Sequence, residues 1–225
     1  MSTMRKTAII LGATGLTGND LLLQLLEDDR YESIVLFSRN STGIKHPKIK
    51  EYLIDLLELH KYQSEFKGDD VFCCIGTTRA KTRNKKTYKA IDYGIPVSAA
   101  ELCIKNNIPT FIVISALGSN KKSKIFYNRI KGLMEREVLN LAVKNTYILQ
   151  PSFIDGNRKE KRTGEWIFKQ LAGAMSFLKV GPLKKYQPVS PKKIAIAMVH
   201  LANNDHTDVR INNLTIHEIA NSYDN

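Results

Sequence analysis

Apolar and polar positions alternate along the chain in a regular rhythm. Short continuous apolar runs occur at "TAIIL" (7–11), "SIVLF" (33–37), "EYLID" (51–55), "DVFCCI" (70–75), "TFIVIS" (110–115) and "TYILQ" (146–150). Their β-branched content and lack of polar alternation predict strands buried on both faces, as in parallel sheets. Between them lie stretches with helical spacing. Leu21, Leu22, Leu25 and Leu26 share one face of a first helix. Residues 88–107 read as a second, with Pro96 expected to kink or break it. Tyr127 to Val143 reads as a third. Beyond Pro151 the rhythm loosens. "GEWIFKQLAGAMSFL" (164–178) has the pattern of one helix, and "SPKKIAIAMVHLANN" (190–204) of another, with Ser190 as N-cap and Pro191 in its first turn. Alternating strands and helices imply right-handed βαβ crossovers, so the expected fold class is α/β: a doubly wound, Rossmann-like parallel sheet with helices on both faces.

A chain of 225 residues without a repeat or linker is expected to form one domain, 1–225, with 151–225 supplying a smaller substrate-side part. No apolar run approaches the roughly 20 residues that span a bilayer. Six residues precede the first apolar run, which predicts no leader peptide. Cys73, Cys74 and Cys103 form no CxxC and cannot all pair, so a reduced, cytoplasmic setting is expected, with Cys73 and Cys74 as core residues of the fourth strand. The five histidines lack metal-ligand spacing, and no metal is expected. The net charge of +12 raises a nucleic-acid reading, but the basic runs (77–89, 119–124, 182–186, 190–193) lack the interleaved aromatics used for base stacking. Solvated charge and attraction for an anionic ligand are favoured over a specific nucleic-acid site.

The strongest local motif is "AIILGATGLTGND" (8–20). Gly12, Gly15 and Gly18 stand between a strand and a helix. Such glycines permit a tight turn, close approach of backbone to a pyrophosphate, and helix packing against the strand. The helix N-terminus offers free N–H groups to phosphates. Dinucleotide binding is therefore expected, with Thr14, Leu16 and Thr17 completing the loop. The second strand ends "LFSRN" with no acid to hold a ribose 2′-hydroxyl, but with Ser38 and Arg39. A guanidinium binds a 2′-phosphate bidentately, which points to NADP, with NADPH preferred over NADH.

Tyr127 and Lys131 in "FYNRIKG" lie four apart, on one helix face. Nine tyrosines and 24 lysines make about one such pair by chance, so the spacing alone means nothing. Its setting changes that. "GATGLTG" resembles the loop of extended and atypical short-chain dehydrogenases. In that family a serine at the end of the fifth strand precedes the tyrosine by about a dozen residues, as Ser115 precedes Tyr127. "CIGTTRAK", "SALGSN", "FYNRIKG" and "LTIHEIANS" further resemble the Tat-interacting-protein branch of atypical short-chain dehydrogenases, over nearly the whole chain. The resemblance implies an NADPH-dependent oxidoreductase acting on a small carbonyl substrate, with catalytic Ser115, Tyr127 and Lys131. It implies that Lys131 also binds the nicotinamide ribose and that Asp55 meets the adenine. Gly76 and Thr77 would line the adenosine ribose and diphosphate, and Pro151 and Ser152 would lie near the carboxamide. Lone acids at strand ends often serve only as helix caps, and that remains open for Asp55. Asp92 stands where extended members carry a helix asparagine, and is expected to be a capping or surface carboxylate. A nucleotide-binding regulator without turnover is the alternative, and a nucleic-acid-associated protein a more distant one. Substrate identity and oligomeric state, monomer or homodimer, stay open.

Overall fold

The computed structural model describes residues 5–155 and 181–223. The expected helix at 164–178 lies outside them. Seven strands form one parallel sheet: β1 (Lys6–Leu11), β2 (Tyr31–Ser38), β3 (Ile49–Leu53), β4 (Asp70–Cys73), β5 (Thr110–Ile114), β6 (Asn145–Gln150) and β7 (Arg210–Asn212). Their order is β3-β2-β1-β4-β5-β6-β7, the doubly wound arrangement, with the order reversing between β1 and β4.

Successive side chains leave a strand on opposite faces, so each apolar run feeds two cores. Ala8 and Ile10 of β1 join Leu36 and Phe72 against α1 (Leu16–Glu27) and the late helix α5 (Pro191–Asn203), through Leu21, Leu25, Ile194 and Met198. Ile9 and Leu11 join Phe37, Val71 and Phe111 on the other face. They meet α3 (Ile95–Lys105) and α4 (Phe126–Asn140) through Leu102, Cys103, Met134 and Val138. The continuous apolar runs thus reflect burial on both sides. The outer strand β3 has no fully buried residue, its positions being half-buried or exposed, and it starts and ends two residues before its sequence boundary.

Helix α2 (Lys85–Lys89) begins three residues earlier than the periodicity suggests, because Asn84 caps it by accepting from the amides of Lys86 and Thr87. Pro96 neither breaks nor ends the run. A π turn at Ala90–Gly94 carries the chain from α2 into α3, with the Ile95 amide donating to the Ala90 carbonyl five residues back. The wider turn absorbs the missing proline N–H and aims the Asp92 side chain inward. Ser190 caps α5 as expected, accepting from the Lys193 amide at 3.3 Å. The short β7 and the helix after it, α6 (Asn213–Asn221), carry too few periodic positions to register in the sequence.

Candidate active site

The C-terminal ends of β1, β4 and β5 open onto a cleft of 780 Å³ at the point where the strand order reverses. Such crevices are where open parallel sheets place ligands. Its floor is the glycine loop. Gly12 has φ +92°, a conformation that excludes other residues at low cost. A Cβ at Gly18 would lie 2.1 Å from the Gly12 carbonyl oxygen, so only glycine lets α1 seat on the turn. Gly15 is the N-cap of α1, with no side chain capping it and no acid in the first turn. Thr14, Gly15, Leu16 and Thr17 line the cleft. The first amides of a 12-residue helix therefore face it without an internal partner, which is the setting a diphosphate requires.

The far wall holds the tyrosine and lysine. Tyr127 lies in the first turn of α4 and is 37% exposed; Lys131, one turn on, is 3% exposed. Both line the cleft with Ser115, which follows β5. The Lys131 Nζ donates to the Ile114 carbonyl at 3.2 Å and lies 3.3 Å from Asp92 Oδ1. Burial by itself would push the Lys131 pKa down. The carboxylate of Asp92, with a smaller contribution from Tyr127, outweighs burial and raises it, so the side chain stays charged at neutral pH. Gly132 is required next to this lysine, since a Cβ there would lie 2.3 Å from the backbone of Asn120 and Lys121.

Asp92 is therefore not a capping or surface carboxylate. It is fully buried; Oδ2 accepts from the Thr77 amide at 2.8 Å, and Oδ1 is paired in charge with Lys131 without a well-aligned hydrogen bond. The π turn that redirects it is what the sequence could not show. Thr77 is held further by its hydroxyl contact to Thr82 (2.9 Å) and by Tyr88, whose phenol donates to the Thr77 carbonyl at 3.1 Å. Thr77 and Gly76 line the cleft.

Ser115 is tied differently from expectation. Its hydroxyl donates to Glu135 Oε1 at 2.5 Å and lies 3.0 Å from Ser119 Oγ. Glu135 is almost fully buried. It also accepts from Gln150 Nε2 at 2.9 and 3.1 Å and from Arg210 Nε at 3.1 Å. Sequence reasoning missed Glu135, although a signal existed: it lies four residues past Lys131, so Tyr127, Lys131 and Glu135 follow one another along one helix face. Arg210 and Gln150 reach it from β7 and β6, which no local pattern could reveal.

The other expected ligands lie outside the lining of this cleft. The Ser38 hydroxyl is buried and donates to the Asn40 carbonyl at 2.8 Å, whereas Arg39 is exposed at the tip of β2. Asp55 caps the following turn, accepting from the Leu57 amide at 3.0 Å. The Pro151 carbonyl accepts from the Leu117 amide. The Ser152 amide donates to Asn213 Oδ1 at 2.9 Å and its hydroxyl to the Gln187 carbonyl at 2.5 Å. Cys73 lies in β4, its thiol pushed up to about 11 by burial. Cys74 falls one residue past the strand end, where it packs against the core beside Met198 and also forms part of the cleft wall. All three thiols are free. Among the described residues no group of three or more His, Cys, Asp or Glu could hold a metal, and no helix is long and apolar enough to cross a membrane.

This geometry has relatives. A family model described as NAD(P)H-binding matches residues 12–160. Protein HTATIP2 of Rattus norvegicus is 29% identical over 174 residues, 76% of this chain and 72% of the relative. Protein FMP52, mitochondrial, of Debaryomyces hansenii is 30% identical over 206 residues, 88% of each. The chain belongs to the HTATIP2 branch of the atypical short-chain dehydrogenase family. Solved structures agree on the fold of this NAD(P)-binding family. The UDP-glucose 4-epimerase of Thermotoga maritima superposes with TM-score 0.69 at 14% identity, covering 92% of this chain and 76% of the epimerase. The Bordetella bronchiseptica enzyme WbmG in complex with NAD superposes with TM-score 0.67 at 14% identity, covering 98% and 77%. The fold is thus shared with proteins only 14% identical to this chain.

Proposed function

We propose that this protein is an NADPH-dependent oxidoreductase that reduces a small carbonyl compound, with Tyr127 as proton donor. The observation that carries the reading is the meeting of Tyr127 and the buried, charged Lys131 in one cleft with the uncapped N-terminus of α1. Bound NADPH supplies the hydride. The first amides of α1 and residues Thr14 to Thr17 would hold its diphosphate, and Lys131 its nicotinamide ribose. A carbonyl that accepts hydride becomes an alkoxide and needs a proton. A free tyrosine, with pKa about 10, donates reluctantly at neutral pH. The neighbouring ammonium of Lys131 stabilises tyrosinate and so makes Tyr127 a better acid. Asp92 holds that ammonium in place through the Thr77 backbone. NADPH is favoured over NADH by Arg39 and by the lack of an acid at the end of β2.

One observation favours a second reading, a nucleotide-binding regulator without turnover. The single hydrogen of the Ser115 hydroxyl is committed to Glu135, so it is turned away from an incoming carbonyl oxygen. Enzymatic action requires that bond to give way when substrate arrives. The three free thiols suit a reducing compartment, cytoplasmic in our reading, although the FMP52 relatives carry a mitochondrial designation. The basic surface is read as a general attraction for anions, without a specific nucleic-acid site or a membrane partner.

The test is a panel of aldehydes and ketones with NADPH, repeated on Tyr127→Phe. The ring still packs, so folding and cofactor binding should survive. Turnover should fall by about 10²–10⁴-fold, the usual cost of losing general acid catalysis. Full activity in Tyr127→Phe would show the acid to be misassigned. Tight NADPH binding with no carbonyl reduced would favour the regulator.

A further inference from the structure

The hydrogens around Ser115 can be followed one by one. A serine hydroxyl carries one hydrogen and two lone pairs. The Ser115 hydrogen goes to Glu135 Oε1 at 2.5 Å. Glu135 returns none, because a carboxylate only accepts, and its oxygens also take up Gln150 Nε2 and Arg210 Nε. Ser119 Oγ lies 3.0 Å from Ser115 Oγ, but its own hydrogen goes to the Ala116 carbonyl at 2.7 Å. Were Ser119 to share that hydrogen, one lone pair on Ser115 Oγ would still be free. The Ser115 backbone is fixed as well, its amide donating to the Leu149 carbonyl of β6 at 2.7 Å.

Ser115 therefore meets the cleft as an acceptor, next to a tyrosine whose proposed task is to donate. A plain carbonyl oxygen brings only lone pairs. It suits Tyr127, but it can use Ser115 only if the contact to Glu135 breaks, and hydrogen bonds to a charged acceptor are the strong ones. A hydroxyl beside the carbonyl brings the missing donor and leaves that contact intact. It also relieves two oxygens that face each other at 3.0 Å with their hydrogens directed elsewhere.

We infer that the cleft takes a hydroxy carbonyl compound: its carbonyl oxygen faces Tyr127, and a hydroxyl on the neighbouring carbon donates to Ser115 Oγ. Glu135 is the positioning residue that sets the direction of the Ser115 hydroxyl. This rests on the oxidoreductase reading above and narrows its substrate class. Hydride passes from the dihydronicotinamide to the carbonyl carbon, and the Tyr127 proton passes to the oxygen. The products are a vicinal diol and NADP⁺, and Tyr127 is reprotonated from water. The second hydroxyl and Ser115 keep their protons throughout.

Two measurements test it. First, kcat/KM with NADPH is compared for 2-hydroxyacetophenone and 2-methoxyacetophenone. The methoxy compound keeps the electron-withdrawing oxygen and lacks only the donor. The hydroxy ketone should lead by about tenfold or more, because its analogue leaves a buried acceptor unpaired. Ser115→Ala should bring the ratio close to one. Glu135→Gln should lower it partway, since a neutral amide holds the Ser115 hydrogen less firmly than a carboxylate. A general loss of packing would slow both ketones alike and leave the ratio unchanged. Second, protein saturated with NADP⁺ is titrated calorimetrically with the same pair, which the oxidised cofactor cannot reduce. Tighter binding of the hydroxy ketone, lost in Ser115→Ala, supports the site even if NADPH reduces neither compound, in which case only the oxidoreductase reading falls. Equal binding of the pair, tighter binding of the methoxy ketone, or a preference that survives Ser115→Ala overturns the proposal.

Discussion

Replacing Asp92 by Asn removes one charge from a buried pair and little else. The amide oxygen can still accept from the Thr77 backbone, and the volume is unchanged. The two charges lie 3.3 Å apart with side chains 3% and 1% exposed. At an effective dielectric of about 20, unit charges at that separation attract by about 5 kcal/mol. A second limit comes from the lysine. Discarding its proton at pH 7 costs about 1.4 kcal/mol for each unit below 10.4, again near 5 kcal/mol in all. Breaking buried pairs by removing one partner costs about 3–5 kcal/mol. We therefore expect Asp92→Asn to lose about 3–5 kcal/mol at pH 7, a large share of the roughly 5–15 kcal/mol of a typical domain. The assay is urea unfolding, monitored by circular dichroism, at pH 7 and pH 10. In the wild type the Lys131 pKa is raised, so the pair's contribution persists below the unfolded value near 10.5 and is lost as pH rises through the folded one. In the variant the folded pKa drops below the unfolded one, and stability rises with pH across that interval. The gap between the two proteins should thus shrink by more than about 1 kcal/mol at pH 10. A loss below about 1 kcal/mol at pH 7, or a gap that widens with pH, would refute the buried-pair argument.

Three further outcomes are expected. Glu135→Gln should free Arg210, which is half exposed and can turn to water, so the stability loss should stay near 1–3 kcal/mol in urea melts. It should also alter turnover only while Ser115 is present, so the effect should vanish in a Ser115→Ala background. Arg39→Ala should weaken NADPH binding by about ten- to a hundredfold and leave NADH nearly unchanged in fluorescence titrations; equal affinities in the wild type would already contradict the NADPH preference. Ala142, exposed after α4 with φ +53°, should give way to glycine with a gain of about 0.5–1 kcal/mol in thermal melts, because glycine adopts this conformation without steric cost.

The run of strands and helices was legible because its signals are local. Continuous apolar runs mark strands buried on both faces, and the three glycines mark a turn in which a Cβ would collide with backbone 2.1 Å away. The Tyr127–Lys131 spacing and the serine twelve residues upstream are also readable, since one helix face and one strand end set them. Tertiary structure decided what those groups touch. Asp92 meets Lys131 across 39 positions because a π turn before Pro96 redirects a carboxylate that looks exposed in the sequence. Glu135 gathers Ser115 from just past β5, Gln150 from β6 and Arg210 from β7, the last 75 residues away. Cys74 becomes cleft wall and Asp55 a turn cap because strands β4 and β3 each end two residues before the pattern suggests. Periodicity reports which face a side chain takes on its own element. The charges and hydrogen bonds of the site form between elements, where only the packed sheet fixes distance.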